Sequence, residues 1–103
     1  MEQNSYKLII TVVNKGKAEK VLDVAHRAGA VGGTILFGHG AAVRLLLGIS
    51  VEPEKDIVLT LIDQDKVQAV LDAFVNELEL NEPNRGIAFV VSLDQVIGLY
   101  KNA

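Results

Sequence analysis

Between Lys7 and Val13 the chain reads Lys-Leu-Ile-Ile-Thr-Val-Val, a β-branched run with almost no polar interruption. A strand that faces water on one side alternates apolar and polar residues, whereas a continuous apolar run belongs to a strand covered on both sides. Ile87 to Val91, Ile-Ala-Phe-Val-Val, has the same character. Two strands of this kind demand a sheet with an apolar surface on each side. The rest of the chain has to supply the cover.

The other segments follow in a definite order. Asn14-Lys15-Gly16 breaks the first run, and from Lys17 the period becomes helical. Ala18, Val21, Leu22, Ala25 and Ala28 fall on one stripe, with Lys17, Glu19, Lys20, Asp23 and Arg27 mostly opposite. Gly29 stands where a left-handed helix stop belongs. Gly32-Gly33 precede a short strand, Thr34 to Phe37, and a loop-like stretch then runs to Pro53. Ile57 to Ile62 is a third strand, and Asp63 is placed to cap a second helix over 64–78. That helix carries an apolar stripe of Val67, Val70, Leu71, Phe74 and Leu78. A turn cluster over 81–86 leads into the fourth strand, after which Ser92 is placed to cap a last helical turn ending near Gly98. The order β-α-β, loop, β-α-β predicts one α+β domain over 1–103. Its arrangement is the ferredoxin-like split β-α-β, a four-stranded antiparallel sheet with both helices on one face. The other face then needs a partner copy.

Composition narrows the function. Half of the residues are hydrophobic, a high share for a small domain, so some apolar side chains are expected to meet another subunit. The net charge is −3 with acids and bases interspersed, which presents no basic face to nucleic acid. There is no cysteine for a disulfide or a thiolate. The runs Ala41-Ala42-Val43 and Leu45-Leu46-Leu47 are broken by Arg44 and Gly48, too short to span a bilayer. The polar start Met1-Glu2-Gln3-Asn4-Ser5 lacks the order of a signal peptide, so a cytoplasmic location is expected. His26 and His39 are far apart and form no metal pattern. Glu52, Glu54 and Asp56 read as solvated charge at a strand entry, with no nucleophile beside them. No Ser-His-Asp order or phosphate-loop lysine motif appears, which argues against an enzyme.

Three segments carry a resemblance. They are Ala28-Gly29-Ala30-Val31-Gly32-Gly33-Thr34-Ile35, Glu52-Pro53-Glu54-Lys55-Asp56-Ile57-Val58-Leu59, and Gly86-Ile87-Ala88-Phe89-Val90-Val91 with Val96-Ile97-Gly98-Leu99. In their order and spacing the chain resembles the PII signal-transduction family, also called nitrogen regulatory proteins, and within it the divergent PII-like branch. The resemblance implies a non-enzymatic homotrimer with an adenine nucleotide (ATP, ADP or AMP) in clefts between subunits and no covalent cofactor. It further implies a T-loop, here about 37–51, that contacts a transporter or metabolic enzyme, and a B-loop, here about 81–86, that wraps the phosphates.

By position, the resemblance implies nucleotide contacts from Gly29, Ala30 and Val31, from Gly38, His39 and Gly40, from Leu61, and from Asn84, Arg85 and Gly86. The apolar stretch Val43, Arg44, Leu45, Leu46, Leu47 either packs locally or meets the partner. This chain departs from the family pattern in three places. Ile87 stands where the B-loop lysine is usual, Gly98 and Tyr100 replace two arginines, and the T-loop is shorter. The phosphate charge then comes from His39, Arg85 or Lys101, or the ligand differs, or binding has been lost. An ACT-like domain that binds an amino acid is the alternative regulatory reading. A small enzyme using His39 lacks a second catalytic group.

Overall fold

The structure, a computed structural model, describes residues 5–37 and 55–98. Four strands and two helices occur in the expected order. They are β1 (Tyr6–Asn14), α1 (Ala18–Arg27), β2 (Gly32–Phe37), β3 (Lys55–Asp63), α2 (Val67–Leu78) and β4 (Gly86–Ser92). The strands form one sheet in the order β2-β3-β1-β4, and every neighbouring pair is antiparallel. This is the ferredoxin-like arrangement, in which β3 lies between the parallel strands β1 and β2.

Strand register assigns the faces. Ile9, Thr11 and Val13 of β1, with Val58, Thr60 and Ile62 of β3, point to the same side. The helices pack there: Val21, Val24 and Ala25 of α1 and Val70 and Phe74 of α2 are all buried against that surface. On the opposite face β1, β3 and β4 form a grid of nine apolar residues in three rows: Leu8, Leu61 and Val91; Ile10, Leu59 and Phe89; and Val12, Ile57 and Ile87. Val12 and Ile57 are buried as a second small cluster, while Ile87 is 48% exposed and Val91 38%. The two-sided apolar reading of β1 is therefore realised and extends to β3, whereas β4 carries apolar residues on both sides but buries none of them.

Helix ends follow local chemistry in one case and override it in two. α1 stops as expected. Ala30 N–H donates to the Ala25 carbonyl at 2.9 Å and Gly29 N–H to that of His26 at 3.0 Å, with Gly29 at φ +118°. That is the Schellman closure, which favours a residue without a Cβ. At the start of α2, Asp63 makes no capping bond. It remains in the sheet opposite Tyr6, and the Gln64 N–H donates to the Ser5 carbonyl at 2.8 Å, so the helix begins with a 3-10 turn over Gln64–Lys66. Ser92 likewise caps nothing. Its hydroxyl accepts from the Lys7 ammonium at 2.9 Å across the sheet, and residues 93–98 continue without helix, leaving Ile97 exposed.

Candidate functional site

The described members of the expected site fall into two groups. Gly29, Ala30 and Val31 form the turn that feeds β2, and Gly32 pairs with Leu61, so these residues share one end of the sheet. Val31 is exposed, Leu61 half-buried and Ala30 buried. Asn84, Arg85 and Gly86 lie at the other end, where Gly86 pairs with Val13. β2 and β4 are the two edge strands, and the groups stand at diagonally opposite corners. Five residue steps along β1 separate the Leu8–Leu61 level from the Val13–Gly86 level, roughly 17 Å of strand. One copy of the chain does not bring the two groups together. Gly38, His39 and Gly40, the segment Val43 to Leu47, and Lys101 lie outside the described residues.

The corner around Gly86 is built by hydrogen bonds. Asn14, the last residue of β1, donates from Nδ2 to the Asn84 carbonyl at 3.2 Å and accepts from the Lys55 ammonium at 2.7 Å. Asn84 takes φ +65° and Gly86 φ +143°. A Cβ on Gly86 would stand 2.6 Å from the Val12 carbonyl oxygen, so the turn closes onto the sheet only because residue 86 has none. Arg85 is half-exposed and pairs with Glu79 at 3.1 Å. Glu79 itself turns the chain at φ +58° after α2.

Asp56 corrects an expectation. Its carboxylate is not solvated: the residue is 2% exposed, and Oδ2 accepts from Gly16 N–H at 2.9 Å and Ala18 N–H at 3.3 Å. The N-terminus of α1 carries Lys17 at its cap and receives no side-chain bond from it, so β3 supplies the missing acceptor. The one signal in the sequence was negative, a helix start without Ser, Thr, Asp or Asn at the capping position.

A second cation, Arg27, is also committed. Arg27 on α1 donates to Glu77 on α2 at 2.9 Å and to Asp23 at 3.1 Å. The bond to Glu77, then that to Asp23, raises the guanidinium pKa above its ordinary value. His26 on α1 is exposed. Among the described residues no three His, Asp or Glu side chains converge as metal ligands, and no helix is long and apolar enough to cross a membrane.

No family model matches the sequence, and no curated protein matches it either. Solved structures do match. A nitrogen regulatory PII-like protein of Thiomonas intermedia K12, CPII, bound to ADP, AMP and bicarbonate, is 18% identical over 86% of this chain and 88% of its own, with a TM-score of 0.62. A PII-like signalling protein of Thermus thermophilus is 20% identical over 90% of both chains, with a TM-score of 0.64. GlnK of B. subtilis, in complex with ATP, is 19% identical over 89% of this chain and 87% of its own, with a TM-score of 0.63. Strand order, helix placement and these likenesses agree, and the chain has the fold of the PII-like proteins.

Proposed function

We propose that this protein is a non-enzymatic signalling protein of the PII type, which binds an adenine nucleotide between copies of itself and reports the ligand to a transporter or enzyme. The observation that carries the reading is the diagonal placement of the two residue groups. A ligand that uses both Gly29–Val31 with Leu61 and Asn84–Gly86 needs one corner from one copy and the opposite corner from the next. Contacts of this head-to-tail kind close into a ring when the rotation allows, and three copies give three equivalent clefts. The half-exposed grid of Ile87, Phe89 and Val91 supplies the apolar surface that such a ring covers. The fold likeness adds weight, since solved proteins of this fold hold ADP, AMP and ATP.

In this reading Gly38, His39 and Gly40 complete the phosphate side, and the 37–51 segment, with Val43 to Leu47, meets the partner. A nucleotide changes that segment only by binding one of its arrangements more tightly than another. Sedimentation together with titration calorimetry against ATP, ADP and AMP tests the proposal. The expected result is a three-copy species that binds at least one of the three nucleotides with one site per chain. A single-copy species that ignores all three overturns it, and a dimer that answers to an amino acid alone replaces it with the ACT-like reading.

A further inference from the structure

On the helix side of the Gly86 corner lies a cleft of about 200 Å³ between the end of β1, the first turn of α1 and the end of α2. Its polar wall consists of Asn14, Lys17, Lys20, Glu77, Glu79 and Arg85. The charges in this wall are not matched one to one. Glu77 is held by Arg27, which lies outside the wall, and Glu79 is held by Arg85. Asn14 is occupied by Asn84 and Lys55. Lys17 at the cap of α1 and Lys20 in its first turn are exposed, three residues apart, and neither has an ion-pair partner among the described residues. Two like charges at that spacing repel each other. The wall therefore holds two uncompensated ammonium groups beside a guanidinium whose own partner is half-exposed.

The volume and the donor set select a ligand. Clefts that enclose a whole drug-sized molecule measure roughly 300–1,000 Å³, so this one suits a smaller group. A single carboxylate would satisfy one cation and leave the others. A chain of phosphoryl oxygens offers several charges to two flexible ammonium groups and to the planar fork of Arg85. We infer that the cleft binds a di- or triphosphate group through Lys17, Lys20 and Arg85, and that Glu79 holds Arg85 in place until the anion displaces it. The inference deepens the nucleotide proposal. It rests on that proposal for the nucleoside carrying the phosphates, and on the charges of the cleft for the phosphates themselves. It also supplies cations to the turn that precedes Ile87.

The experiment is calorimetry at low salt with sodium tripolyphosphate and, separately, ATP, on the wild-type protein, Lys17→Gln/Lys20→Gln and Glu79→Gln. Wild-type protein is expected to bind tripolyphosphate, more weakly as salt rises. Lys17→Gln/Lys20→Gln should weaken that binding roughly tenfold with an unchanged thermal melt. Glu79→Gln should tighten it, because Arg85 is released, and a gain of affinity does not arise from damage to the fold. If ATP follows the same ranking, the phosphates in the cleft are those of the nucleotide. If ATP affinity is the same in all three proteins while tripolyphosphate follows the ranking, the occupant is a free anion. Failure of the folded wild-type protein to bind tripolyphosphate, or equal binding by all three proteins, overturns the cleft. ATP binding in that event leaves the proposed function standing.

Discussion

Asp56 and Gly86 show how single residues hold this corner of the molecule. Each solves a backbone problem that the neighbouring residues leave open. Removing the Asp56 carboxylate strands the Gly16 and Ala18 N–H groups at the start of α1, whose bonds both end on its Oδ2. Bonds to a charged acceptor contribute about 1.5–3 kcal/mol each, so Asp56→Ala should lower the unfolding free energy by at least about 2 kcal/mol in urea. Asp56→Asn, which keeps an acceptor oxygen, should recover part of that loss. Gly86→Ala places a methyl group against the Val12 carbonyl at a backbone angle that side chains rarely adopt, and should cost about 2–4 kcal/mol by the same measurement. An alanine variant as stable as wild type would mean that the turn relaxes freely, and its closure onto β1 would lose its explanation.

Among the elements, the sheet carries an internal cost. Thr11 and Thr60 are fully buried on the helix-facing side, and neither hydroxyl has a hydrogen-bond partner among the described residues. Valine has nearly the same shape without the hydroxyl. Thr60→Val should therefore raise stability by about 1 kcal/mol, read as a later urea midpoint with an unchanged slope. The same elements show what a reader of the sequence can and cannot see. The stripe of α1 was visible because its spacing is local, although Val24 widens it beyond the expected set. Gly29 was visible because a helix stop needs only its own residues. Asp56 was not, since the amides it serves lie about forty positions earlier and proximity of that kind appears only once β3 is laid beside β1. Asp63 and Ser92 look like caps in isolation, but pairing with Tyr6 and Lys7 keeps both in the sheet. Lys17 and Lys20 read as an ordinary wet helix face because the residue that joins them in the cleft, Arg85, belongs to a different half of the chain.

At the scale of the whole molecule, the apolar grid is the surface on which the proposed assembly rests. Ile87 and Val91 are more than one third exposed and belong to the face the helices do not touch. Ile87→Glu puts a charge into that face, and burying an unpaired charge there is prohibitive. The expected outcome is loss of the assembled species in sedimentation, with helical and sheet circular dichroism retained. On the proposed function, nucleotide binding disappears with the assembly, because the two corners then have no neighbour to meet. Retained assembly in this variant would move the interface elsewhere on the surface. The candidate site was only half legible for the same reason: the turns that compose it are local motifs, but their separation to opposite corners follows from the strand order β2-β3-β1-β4.

β4 closes one side of the sheet, and its outward amides and carbonyls have no fifth strand to bond among the described residues. Its Ile-Ala-Phe-Val-Val core contains neither proline nor charge, the devices by which such margins are usually blunted. A margin of this composition is a template for further strands, including those of unfolded sister chains. On the proposed function, association of the copies guards this margin against fibre growth as well as shaping pockets. Ile87→Glu protein should accordingly resist seeding by itself, whereas a variant that separates the copies and leaves β4 unaltered should turn thioflavin-positive on standing.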